Sequence, residues 1–221
     1  KRAMSLEAAE QIANMMVMEP YPGFEGKHFS APCRNVVPKP VQKPHPPIWC
    51  PSQGSSETIE WAAHPDRKYV YLQNFNPWAA AVKYLNYYRQ VAQDRYGYEA
   101  ASSQMAWGAP CYVADTDEEA RDAAVNGMTG RVWRDYLLPL FREFNLMPIF
   151  KHDPEVPDDA VDIDYLADHM WLVGSPETVA NKIRTLYNDV GGFGYIITMV
   201  FDQLENQEGW EKSTRLLAED V

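Results

Sequence analysis

Apolar residues first recur at helical spacing over residues 5–18 (SLEAAEQIANMMVM), which predicts a helix at the start of the chain. Residues 19–47 keep no sustained period. Within them Phe24-Glu25-Gly26-Lys27-His28-Phe29 predicts a tight turn between short extended pieces, and Pro38, Pro40, Pro44, Pro46 and Pro47 hold the rest of the segment in an extended course. From Ile48 onward, short apolar runs alternate with amphipathic stretches of helical length. Strands are predicted at 48–50, 68–73, 105–114 and 195–201, the last apolar on both faces as a central parallel strand is. Helices are predicted at 56–63, 77–96, from Thr116 onward and from Ser175 to Val190, with an amphipathic helix over 210–221. Strand and helix in alternation are the pattern of a parallel α/β sheet or barrel.

Residues 126–170 are more than a connection. They hold an aromatic-rich helical piece over 132–144 and an acidic, proline-rich stretch over 152–164, and insertions of this kind often cover an active site. The arginines and aromatics of that piece, among them Trp133, Tyr136 and Phe141, read as packing rather than as a cavity lining, because a helical aromatic stripe is usually core. Helix starts are well marked. Thr116 and Glu119 form a T-x-x-E capping box. Ser55-Ser56-Glu57-Thr58 and Ser175-Pro176-Glu177-Thr178 repeat one cap almost residue for residue. At the first of these, Gly54 lets the backbone approach a ligand, and Ser55, Ser56 and Thr58 offer hydroxyls beside the unpaired N–H groups of a helix start. The corner is either an anion site at the carboxyl end of a strand or an ordinary capped helix.

Composition narrows the partners. A formal charge of −11 with no basic run disfavours nucleic acid and anionic membrane surfaces. No apolar run is long enough to cross a bilayer, and no signal-peptide pattern opens the chain. The three cysteines, Cys33, Cys50 and Cys111, are widely spaced and odd in number, so a reducing, cytoplasmic setting is expected rather than a disulfide framework. No metal cluster is expected, because the histidines and cysteines never gather at ligand spacing, and Ser-Gln-Gly-Ser lacks the G-x-S-x-G pattern of a nucleophile elbow. No catalytic residue emerges. The chain opens on a lysine just before a helix and closes on a helix without a stop signal, which reads as a fragment.

Eight short motifs in order carry a resemblance. They run from Phe24-Glu-Gly-Lys through Pro38-Lys-Pro-Val-Gln-Lys-Pro, Pro46-Pro-Ile-Trp, Gly54-Ser-Ser-Glu-Thr-Ile-Glu-Trp-Ala-Ala, Tyr88-Arg-Gln-Val-Ala, Val113-Ala-Asp-Thr-Asp-Glu-Glu-Ala and Val173-Gly-Ser-Pro-Glu-Thr-Val-Ala to Leu216-Leu-Ala-Glu-Asp-Val. Together they resemble the C-terminal part of the bacterial luciferase-like flavin monooxygenases. The resemblance implies a single partial domain over residues 1–221, strands five to eight of a TIM (β/α)8 barrel, with the insertion at about 126–170. Strands one to four, and the family's catalytic histidines with them, would come from a missing N-terminal half or a partner subunit. Inward residues such as Ile48, Val70, Tyr112 and Ile197 would then lie exposed on one flank. The resemblance also implies reduced FMN supplied by a flavin reductase, O2, and a small apolar substrate such as an aldehyde, alkane or terpene. Its alternatives are an F420-dependent oxidoreductase of the same barrel family and a non-catalytic flavin-binding or structural protein. General barrel experience would place a phosphate at Ser175, but in this family the flavin phosphate follows strand five. Ser55 and Thr58, with Gly54 and Ser56, match its ligands, and Gln73 matches a position bordering the flavin ring.

Overall fold

A computed structural model describes residues 2–201 and 203–221. The chain forms two compact units, Lys1–Ile48 and Trp49–Val221. In the first, helix α1 (Arg2–Val17) is followed by a small antiparallel hairpin, β1 (Phe24–Glu25) and β2 (Ser30–Ala31). The expected turn is there: the Gly26 N–H donates to the Phe29 carbonyl at 3.0 Å. Buried Tyr21 donates its hydroxyl to Gln11 at 2.9 Å and so ties the extended segment to α1. Lys39 reaches the Met15 carbonyl at 3.0 Å, satisfying an orphan acceptor of the last helical turn.

The second unit alternates as its periodicity predicts. It runs β3 (Trp49–Ser52), α2 (Ser56–Ala62), β4 (Val70–Asn74), α3 (Trp78–Gln90), β5 (Met105–Val113) and α4 (Asp117–Asn126). After α5 (Met128–Val132), α6 (Leu138–Glu143) and α7 (Ile163–His169) come β6 (Leu172–Gly174), α8 (Pro176–Val190), β7 (Tyr195–Met199) and α9 (Gln207–Glu219). Every pairing in this sheet is parallel. Ala106, Trp107 and Gly108 of β5 each pair with both β4 and β7, so those two strands flank β5 on opposite edges. The order β3-β4-β5-β7 is the one expected of the four predicted strands. β6 was not expected. It extends the pairing of β5 at Cys111–Val113, and its three residues are too few to show a period.

Alternation along the strands sorts two faces. Tyr71, Gln73, Met105 and Trp107 share one register, and this face meets helices: Tyr71 stacks on Tyr88 of α3 at 5.9 Å and Trp107 packs on Trp78 at 5.8 Å. Val70, Leu72, Asn74, Ala106, Gly108, Tyr195 and Ile197 share the other. The Trp49 and Tyr195 rings lie 4.8 Å apart although β4 and β5 stand between their strands, so the sheet is strongly curved and this face is concave.

Exposure follows the expectation only in part. Ile197 is 38% exposed, but Val70 and Tyr112 are each 5% exposed and Ile48 is half-buried. Tyr112 is covered because it joins the core of the 126–170 segment, with Trp133, Phe150, Leu166 and Trp171. That segment packs over the strand ends: Phe75, just past β4, meets Trp133 edge-on at 5.6 Å, and Asn76 donates to the Ile149 carbonyl at 3.1 Å. The expected central position of the last strand also needs correction. Among the described residues β7 pairs on one edge only, and Tyr195, Ile197 and Val200 are exposed.

Candidate functional site

The turn after β3 is built by Ser52 and Gly54. The Ser52 hydroxyl oxygen accepts the N–H groups of Gly54 at 3.2 Å and Ser55 at 3.1 Å, which bends the chain away from the strand. Gly54 sits at φ +101, and a Cβ there would stand 2.1 Å from the Tyr84 ring of α3. Only glycine meets both conditions. Ser55 takes the N-cap position with extended backbone, and its carbonyl accepts the N–H groups of Thr58 at 3.1 Å and Ile59 at 3.0 Å. Its side chain does not cap the helix; the hydroxyl points at the Glu57 carboxylate, 3.5 Å away. The N–H groups of Gly54 and Ser55 are thus committed to Ser52, and Ser55, Ser56 and Thr58 bring three hydroxyl side chains to the start of a helix that no N-cap side chain closes. Two cavities adjoin the turn. One of about 410 Å³ is lined by Gly54, Ser56, Lys83 and Tyr84, and one of about 350 Å³ by Gln53, Asn76, Lys83, Tyr84 and Lys151.

The second S-x-E-T start is filled from within. Ser175 donates its N–H to Asp117 Oδ1 at 2.7 Å, Thr178 donates its hydroxyl to Oδ2 at 3.0 Å, and Ser175 Oγ accepts the Thr178 N–H at 3.4 Å. These donors hold the Asp117 carboxyl below its usual range. A carboxylate from α4 therefore occupies the place an external anion would take, which separates two motifs that look alike in sequence.

Gln73 does not border the open face. It is fully buried on the helix side, accepting from the Tyr71 hydroxyl at 2.6 Å and donating to Asn76 Oδ1 at 2.6 Å. Asn76 passes the chain of hydrogen bonds to Ile149, so the glutamine braces β4 against the 126–170 segment. Val70, Leu72 and Asn74 are the β4 side chains that share the concave register. Lys83 and Tyr84 were missed, since nothing in the local sequence of an aromatic-rich helix says which face meets a turn some thirty residues earlier. Burial pushes the Cys111 thiol up to about 12 and raises Cys50, so neither is a nucleophile near neutral pH. Among the described residues no three His, Cys, Asp or Glu side chains gather as a metal site, and no helix is long and apolar enough to cross a membrane.

A curved parallel sheet whose strands feed helices defines an α/β protein, a class in which ligands lie at the carboxyl ends of the strands. The chain belongs to the luciferase-like monooxygenase family, whose sequence profile matches residues 1–192. It is 32% identical over 169 residues to 2,5-diketocamphane 1,2-monooxygenase 2 of Pseudomonas putida, a match covering 76% of this chain and 46% of that protein. The oxygenating constituent of 3,6-diketocamphane monooxygenase from Pseudomonas putida, a type II Baeyer-Villiger monooxygenase solved with FMN, superposes with a TM-score of 0.75 at 25% identity. That alignment covers 99% of this chain and 61% of the other. Monooxygenase RslO1 from Streptomyces bottropensis shares the fold, with a TM-score of 0.74 at 23% identity over 100% of this chain and 60% of its own. The chain thus spans about half the length of the curated relatives it matches.

Proposed function

We propose that the chain is the flavin-phosphate half of an FMN-dependent monooxygenase that inserts one oxygen atom into a small apolar carbonyl compound. The carrying observation is the contrast between the two helix starts: the one at Ser175 is closed by Asp117, and the one at Ser55 has no side-chain cap and opens to a cavity. The residues fit the group, since Gly54 brings backbone close and Ser55, Ser56 and Thr58 cluster hydroxyls for a phosphate. Reduced FMN, when bound, supplies the two electrons that activate O2.

In the net change one oxygen atom enters the product, the other leaves as water with two protons, and the flavin ends oxidised. The chain's part is to hold the phosphate and keep the reacting end dry. The aromatic core around Trp133, Phe150 and Trp171 covers the ends of β4 and β5 and excludes water there. We further read β3-β4-β5-β7 as strands five to eight of a barrel, because β3 and β7 each pair on one edge among the described residues and the concave face carries exposed Tyr195 and Ile197. Residues 1–221 then form one partial barrel domain whose wall is completed by an N-terminal half or partner subunit, with 126–170 as its insertion. A separate flavin reductase as electron source and a cytoplasmic location belong to the same reading.

The test supplies the protein with FMN, a flavin reductase, NADH and a bicyclic ketone under 18O2. One labelled oxygen atom in the product ester is expected, with FMN saturating at a lower concentration than F420. Tight F420 binding with hydride transfer and no oxygen uptake would replace this reading by the deazaflavin one.

A further inference from the structure

The flavin-phosphate turn has hydroxyls but little positive charge. An alkyl phosphate carries roughly −1.5 to −2 at neutral pH. α2 is only seven residues long, and its positive end already faces Glu57 in the first turn. Glu60 lies one turn further on, and the chain as a whole is at −11. Arg95 neutralises Glu60, so it is Glu57 and the overall negative charge whose repulsion a nearby cation would offset for a dianion held here.

Most basic side chains around the turn are engaged elsewhere. Arg95 pairs with Glu60 at 2.5 Å, Arg67 stacks over Trp61 at 4.8 Å, Arg89 donates to the Gly191 carbonyl at 2.9 Å, and Lys151 pairs with Asp158 at 2.6 Å. Lys83 differs from them. It lines both cavities that adjoin the turn, and among the described residues it pairs with no carboxylate, its ammonium lying only over the Tyr84 ring at 5.4 Å. Its place is also fixed. Tyr84, the next residue on α3, is the ring against which the Gly54 backbone packs, so the helix carrying Lys83 is held in register with the turn.

We propose that Lys83 is the phosphate-neutralising residue of this site and sets its preference for a phosphorylated flavin over riboflavin. The inference rests on the reading of the Gly54–Thr58 turn as the phosphate end. Lys83 is exposed on a helix surface, so replacing it leaves folding intact, and its contribution is electrostatic and therefore screened by salt.

The experiment measures dissociation constants for FMN and for riboflavin, by quenching of flavin fluorescence, in the parent protein, Lys83→Gln, Lys83→Arg and Ser55→Ala/Thr58→Ala, at low salt and at about 0.5 M NaCl. Lys83→Gln is expected to weaken FMN about tenfold at low salt, with the gap shrinking at high salt, and to leave riboflavin within about twofold. Lys83→Arg should keep most of the FMN preference. If Ser55→Ala/Thr58→Ala abolishes the preference but Lys83→Gln leaves both it and its salt dependence unchanged, the lysine role is overturned and the turn stands. If neither variant alters the preference, the phosphate lies elsewhere and the lysine role falls with the site. Equal weakening of FMN and riboflavin in Lys83→Gln would also overturn it, because a packing role loses both ligands alike.

Discussion

Gly54 and Asp117 decide the site one residue at a time. Gly54 combines a left-handed backbone with close approach of the Tyr84 ring, whereas Gly97, at φ +69, has no atom within 4 Å of its missing Cβ. Gly97→Ala should therefore cost about 1–2 kcal/mol of backbone strain alone, and Gly54→Ala should cost more and also weaken FMN. Thermal melts with flavin titration check this, and equal effects at the two glycines would contradict it. Asp117 titrates below its ordinary value of 3.8, so the stability it contributes is present above that value and is lost as pH falls through the lower folded one. Asp117→Asn should lower the melting temperature at pH 7 and flatten its fall below about pH 4. The N-cap position of Ser55 was legible in the sequence, but not that its side chain would leave the helix uncapped. The direction of Gln73 was not legible either, because Val70-Tyr71-Leu72-Gln73-Asn74 carries apolar residues and one amide on each face and nothing local says which face the helices take.

At the level of elements, four strands and the helices between them followed from periodicity, and the N-cap half of the T-x-x-E box formed, with Thr116 accepting the Glu119 N–H at 3.1 Å. β6 escaped notice for its shortness, and β7, placed in its expected order, was read as more buried than it is because an apolar strand looks the same whether its faces and second edge are covered or open. The chain of hydrogen bonds from Tyr71 through Gln73 and Asn76 to Ile149 joins partners up to 73 positions apart, so no local pattern announces it. It should matter to the insertion. Asn76→Ala leaves Gln73 and the Ile149 carbonyl without their partner, at a cost of about 1–3 kcal/mol, and should speed proteolysis within residues 147–160. Unchanged cleavage there would mean that the segment is held by its aromatic core alone.

For the whole molecule, the open edge of β7 is the main consequence of the fold. Tyr195 at 39% and Ile197 at 38% exposure, with Val200 just past the strand at 49%, form an apolar margin on a strand that pairs on one edge only among the described residues. The 221-residue chain is expected to associate with increasing concentration in light scattering, and Val200→Lys to reduce that association; a monomer at all concentrations would argue that the margin needs no cover. The Gly54–Thr58 turn as the phosphate end is tested most directly by one ratio: the affinity for FMN divided by that for riboflavin, in Ser55→Ala/Thr58→Ala against Ser175→Ala. The double variant should lower FMN affinity by about two to four orders of magnitude if the two losses add, and leave riboflavin nearly unchanged. Ser175→Ala should cost about 0.5–2 kcal/mol of stability and keep the ratio. A ratio that collapses in Ser175→Ala, or survives in the double variant, would place the phosphate somewhere other than Gly54–Thr58.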